Sequence, residues 1–124
     1  MVVIDSIDKI KRDLGINEHG PVANYFVELC YRHMDKYVPM DKGLLRTIVD
    51  LDDTSITYMS PYAAYQYYGI HKDGTGQVIN YTTPGTGPYW DQLMISADMP
   101  DIEKEMQKFI ERWLYGRKLW KYKN

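Results

Sequence analysis

Residues 37–69 read YVPMDKGLLRTIVDLDDTSITYMSPYAAYQYYG, and the order of stops and patterns in that stretch decides the fold. A residue before proline is driven out of the α region, so Val38-Pro39 closes the helix that arrives from the N-terminal side. Met40-Asp41-Lys42-Gly43 then turns the chain, because aspartate bonds to backbone two residues on and glycine accepts a positive φ without steric cost. Leu44 and Leu45 re-enter the core. Arg46 opens a β-branched run with Thr47, Ile48 and Val49, where it can brace the turn or pair with an acid. Asp52-Asp53-Thr54 is short and polar, and residues 55–59 alternate again. Two alternating runs around a tight acidic turn predict a β-hairpin. In SPYAAYQYYG, Tyr65 and Tyr68 would share a helix face and Tyr65 and Tyr67 a strand face, so periodicity leaves both open.

Working outward, Val3, Ile7, Ile10 and Leu14 recur at helical spacing and Gly15 sits just past them, which predicts a short amphipathic helix. Pro21 suits the first position of a second helix. Its stripe is Val22, Phe26, Leu29 and His33, widened by Tyr25, Cys30, Met34 and Tyr37, enough for four or five turns. On the C-terminal side, residues 77–83 are rich in β-formers and read as a third strand, between the glycine-bearing loops HKDGTG and PGTGP. Trp90, Leu93, Met94 and Ala97 predict a short helix. Asp98 would cap the next one, with Pro100 in its first turn, Ile102, Met106, Phe109 and Trp113 along one face, and Gly116 at its end.

Those elements imply one α+β domain over residues 1–116, followed by a basic, aromatic tail over residues 117–124. The expected architecture is a three- to four-stranded antiparallel sheet with two long helices packed on one face, plus the short terminal helix. The second sheet face is left for a neighbouring subunit.

A chain of 124 residues forms one domain and one ordinary core. Twelve tyrosines stand against two phenylalanines, and tyrosine joins a large contact area to a polar tip, which suits surfaces half-buried against a partner or the rim of a small core. A formal net charge of −2 argues against a protein whose main work is coating nucleic acid. The single Cys30 inside an apolar helical pattern, without an apolar leader or a membrane-length run, points to synthesis and folding in a reducing cytoplasm.

No catalytic constellation emerges. Cys30 and His33 lie one helical turn apart, but two ligands do not make a zinc site. His19 and His71 fall in loops without a nucleophile arranged nearby. Asp50, Asp52 and Asp53 have the residue type of a Mg²⁺-dependent nuclease, yet their place between two strand patterns reads as an ordinary acidic turn. Neither Gly-Thr-Gly triplet carries the lysine of a phosphate loop. No catalytic residue, cofactor or metal ligand is therefore assigned. The alternatives are a metal-dependent nuclease or nucleic-acid-processing accessory protein, and a generic protein-binding module.

Three motifs carry a family resemblance. YVPMDKGLLR, with Pro39, Gly43, Leu45 and Arg46, resembles the VP-x-D-x-G-x-L-R signature of phage minor capsid and tail-completion proteins. SPYAAYQYYG, with Pro61, Tyr62, Tyr65 and Gly69, is similar to that family's PYA-x-Y-x-(E/Q)-x-G signature one hairpin later. YWDQLM, with Trp90, resembles the aromatic motif that opens its last helical region. Lys42 departs from the family, which has a small residue near that place. The resemblance implies a structural virion protein of a tailed bacteriophage that forms a ring, commonly hexameric, at the head–tail junction. Its partners would be its own copies and the connector, adaptor and tail proteins. DNA would meet it only in transit, and no membrane partner is implied. Interface candidates are Tyr62, Tyr65, Tyr67 and Tyr68, which cannot all face one core, and Arg117, Trp120 and Tyr122 of the tail.

Overall fold

A computed structural model describes residues 1–17, 19–39, 44–70 and 85–123. The order of elements is β1 (Val2–Ile4), α1 (Ser6–Asp13), α2 (Pro21–Met34) with a 3-10 turn (Asp35–Tyr37), α3 (Leu44–Thr47), β2 (Val49–Leu51), β3 (Ile56–Tyr58), α4 (Ala63–Tyr68) and α5 (Trp90–Lys123). The fold is α+β, with a three-stranded antiparallel sheet in the order β1-β3-β2.

The hairpin of β2 and β3 pairs Val49 with Tyr58 and Leu51 with Ile56. Its turn is built by Asp52. One carboxylate oxygen accepts the backbone N–H groups of Thr54 (2.8 Å) and Ser55 (2.7 Å), and these bonds hold the Asp52 carboxyl below its usual range. The strand begins later than its β-branched run suggests: residues 44–47 form the one-turn α3, and pairing starts at Val49. Arg46 braces this junction, its Nε donating to Val38 O at 2.8 Å, while the Tyr31 hydroxyl donates to Arg46 O at 2.7 Å. The turn at residues 40–43, including Gly43, and the strand expected at residues 77–83 lie outside the described residues.

Among the described residues, the third strand is supplied by the N-terminus. Val2, Val3 and Ile4 pair with Tyr58, Thr57 and Ile56, so the N-terminal helix starts at Ser6 rather than at Val3. Three consecutive β-branched residues suit a pleated surface better than a helix start. Alternation then puts Val2 and Ile4 in the core and leaves Val3 in solvent. Gly15 does close α1, at φ +83°.

The helix α2 runs as its stripe predicts, burying Phe26, Leu29, Cys30 and Met34. Burial pushes the Cys30 thiol up to about 12, which marks a core residue rather than a metal ligand. The tyrosine segment resolves to a helix, α4, closed by Gly69 in the left-handed region at φ +68°.

The largest difference from the sequence expectation is α5. Asp98, Pro100 and Gly116 do not divide it: one helix of 34 residues passes through all three. Proline in a helix interior forfeits the bond to the carbonyl four residues back. Here that carbonyl belongs to Ser96, which is exposed together with Pro100, so water can satisfy it. Tertiary packing outweighs the local break, because Trp90, Met94, Ile102 and Met106 are buried at intervals of four or eight residues. Such a line drifts by about 40° for every four residues. Successive turns therefore meet different neighbours: Trp90 meets Tyr58 of β3, Asp98 meets the end of α2, and Phe109 stacks on Tyr25 near its start, centroids 3.9 Å apart. The two long helices are thus antiparallel, and with the inner sheet face they enclose one core.

Candidate interaction surface

Aromatic side chains form a ladder from the core to the surface at the start of α5. Tyr58 and Trp90 are wholly buried, edge to face at 5.3 Å. Trp90 meets Tyr67 at 5.0 Å, and Tyr67 meets Tyr68 at 5.1 Å and Tyr89 at 5.3 Å, all near perpendicular. The outer members are exposed, Tyr68 by 52% and Tyr89 by 46%. Edge-to-face pairs of this kind add about 0.5–1.5 kcal/mol each beyond their burial, so the exposed rings are held by a rigid base.

Polar contacts fix the same base. The Tyr67 hydroxyl donates to Asp91 Oδ1 at 2.6 Å, and Ser6 Oγ donates to Asp91 Oδ2 at 2.7 Å. Burial, followed by this bond to Asp91, raises the Tyr67 phenol above its ordinary range. The backbone N–H of Tyr89 donates to Tyr67 O at 2.8 Å. Tyr89 itself has φ +51°, a left-handed conformation rarely adopted outside glycine. It costs on the order of 1 kcal/mol and persists where the surroundings enforce it. Here it places an aromatic side chain beside Tyr68, centroids 6.2 Å apart, on the outside of the molecule.

The predicted site residues fall into three groups. Pro39, Leu45 and Trp90 are buried, Arg46 braces the α2–α3 junction, Gly69 caps α4, and Pro61 lies exposed before it. The four tyrosines around α4 splay: Tyr62 and Tyr68 are exposed, and Tyr65 and Tyr67 are half-buried. Arg117, Trp120 and Tyr122 lie in the last turns of α5, where the backbone is still helical beyond Gly116. His71 and the rest of the loop HKDGTG lie outside the described residues, as does Gly43.

Tyr89 is the surface residue that motif reading missed. Its signal was its position between a Pro-Gly-rich connector and a buried tryptophan, where the chain is forced to turn sharply.

A second constellation, also missed, lies on the seam of α2 and α5. Asp98 is buried and accepts from His33 Nδ1 (2.8 Å), the Tyr37 hydroxyl (2.6 Å) and Lys36 Nζ (2.6 Å). Burial alone would raise its pKa, but the hydrogen bonds from Lys36, Tyr37 and His33 outweigh it and hold the carboxyl at about 2. The other ring nitrogen of His33 faces Glu105 at 3.2 Å. His33 thus belongs to a half-buried polar cluster around Asp98 rather than to a Cys30-His33 pair. Of the hairpin acids, Asp52 is occupied by its turn and Asp53 by His19. Among the described residues no group of three or more His, Cys, Asp or Glu is arranged to hold a metal ion, and no helix is long and apolar enough to cross a membrane.

A family model described as minor capsid protein matches residues 7–111. The chain belongs to the minor capsid protein family. No curated protein and no solved structure matches it. Membership makes the chain a structural component of a phage virion, and the matched span contains the hairpin, the aromatic ladder and the polar cluster. Within this minor capsid protein, the tyrosine patch of α4 and Tyr89 is an exposed aromatic surface on a buried aromatic base.

Proposed function

We propose that this minor capsid protein is a non-catalytic tail-completion subunit, assembled as a ring at the head–tail junction and contacting connector and tail proteins. The observation that carries the reading is the exposed pair Tyr68 and Tyr89, anchored through Tyr67 and Trp90 to the core. Exposed aromatic groups on a preorganised base bind at low entropic cost, and tyrosine is a frequent interface anchor. A junction gains from many copies of such a contact, so a modest contribution per subunit suffices. Two of the three acids that a nuclease would use, Asp52 and Asp53, serve the hairpin turn and His19, which favours the structural reading.

Localisation tests it. Purified virions would be cross-linked and the partners of this chain identified by mass spectrometry. Cross-links to connector and tail subunits, with symmetrical density in the neck by electron microscopy, are expected. Cross-links confined to the major shell of the head would overturn the junction reading.

A further inference from the structure

Away from the tyrosine patch in sequence, the loop after α1, the start of α2 and the second half of α5 leave two adjoining cavities of about 330 and 250 Å³. Both are lined by Leu14, Ile16 and Ile110; the larger reaches Trp113 and Leu114, and the smaller is flanked by Glu103 and Glu111. Together they form an apolar groove with an acidic rim, and among the described residues no lysine or arginine lines either cavity. Beyond it, α5 continues to Lys123. Residues 117–124, RKLWKYKN, carry four basic side chains and no acid, whereas residues 1–116 hold all 17 acids and 11 of the 15 basic residues.

From this geometry we infer that the groove is filled by the C-terminal segment, residues 117–123, of a second copy of the chain. A segment rich in aromatic and basic residues matches an apolar floor with a carboxylate rim. Its own groove is out of reach. The segment continues the helix that forms one wall, and at about 1.5 Å per residue it runs straight on, from roughly 4.5 to 13.5 Å beyond Leu114 along the axis. A groove on one copy taking the end of the next is a heterologous contact, which repeats into a closed ring or an open filament. The inference deepens the ring reading and rests on it for closure; the contact itself requires only two copies.

Two full-length charge-reversed variants test it. One carries Glu103→Lys and Glu111→Lys, both exposed; the other carries Lys118→Glu and Lys121→Glu. Circular dichroism melts should match wild type. In sedimentation velocity at about 0.05 M salt, wild type should self-associate and weaken toward about 0.5 M salt. Each variant alone should associate roughly tenfold or more weakly. Mixing the two should restore assembly, since the charges at positions 103 and 111 of each variant then meet the opposite sign at positions 118 and 121 of the other. A wild type that stays monomeric, a variant that assembles like wild type, or a mixture that fails to associate overturns the groove contact. Neck cross-links that persist in virions carrying the groove-reversed variant would sink this contact and leave the junction reading standing; loss of all neck cross-links from wild-type virions would sink that reading instead.

Discussion

The two ends of α5 handle surface in opposite ways. At its start, Trp90 is wholly buried and its neighbours Tyr67, Tyr68 and Tyr89 carry the aromatic packing outward without a gap. Along its second half, Ile110, Trp113 and Leu114 border an open groove, and Tyr115 is 64% exposed. Fold and surface share residues at the first end and are separable at the second. Changes at Trp90 or Tyr67 should therefore disturb stability and assembly together, whereas changes at the exposed Glu103 and Glu111 should disturb assembly alone.

The sharpest way to break that contrast is Trp90→Ala. It empties a site with no solvent exposure and removes the support of Tyr67, so unfolding should cost about 3–5 kcal/mol less, read from urea midpoints at constant slope. A loss below about 1 kcal/mol would mean that the ladder is not part of the core.

A smaller effect is expected from acid at the middle of α5. The Asp98 carboxyl is held at about 2 in the fold, below the roughly 3.9 of an unfolded aspartate. A group depressed in this way stabilises the fold at any pH above its unfolded value, and that contribution is lost as pH falls through the folded value. Up to about 2 kcal/mol should disappear between about pH 4 and pH 2. Asp98→Asn should remove most of that pH dependence, and a wild-type stability curve that stays flat through the window would contradict the cluster.

The hairpin and α2 were legible in the sequence because local signals agree with tertiary need. Asp52 both interrupts the alternation and builds the turn, and the stripe from Val22 to His33 has one period and one face. Failures came where a local rule met a tertiary competitor. Val3 fits the helical spacing of Ile7, Ile10 and Leu14, but pairing with Thr57 decides otherwise. Pro100 and Gly116 read as helix boundaries, yet burial of Trp90, Met94, Ile102 and Met106 keeps one helix through both. Asp98 looked like a cap because capping is read from nearest neighbours, and its partners lie 61 to 65 residues away. Such a pairing leaves no periodic trace. The tyrosine patch was half legible: crowding of Tyr62, Tyr65, Tyr67 and Tyr68 required some to face outward, but the contribution of Tyr89 depends on a backbone angle that no sequence pattern announces.

The smallest stability effect should come from the buried end of the ladder. Tyr58 Oη is buried and finds no hydrogen-bond partner among the described residues. Removing an unpaired buried hydroxyl costs little, so Tyr58→Phe should change stability by less than about 0.5 kcal/mol or raise it slightly. A loss of more than about 1 kcal/mol would show that the hydroxyl has a partner and that the ladder is held by polar contacts as well as by ring packing.

A virion contact at the exposed end of that ladder is what joins the fold to the proposed function. In vitro joining of purified heads and tails, with the double variant Tyr68→Ser and Tyr89→Ser supplied in place of wild type, tests it most directly. Thermal unfolding should stay within a few degrees of wild type, because both side chains are about half exposed, while joining should fall at least tenfold, as expected for the loss of interface anchors worth about 2 kcal/mol each. A stably folded variant that joins heads to tails at the wild-type rate would contradict the assignment of the tyrosine patch as the junction surface.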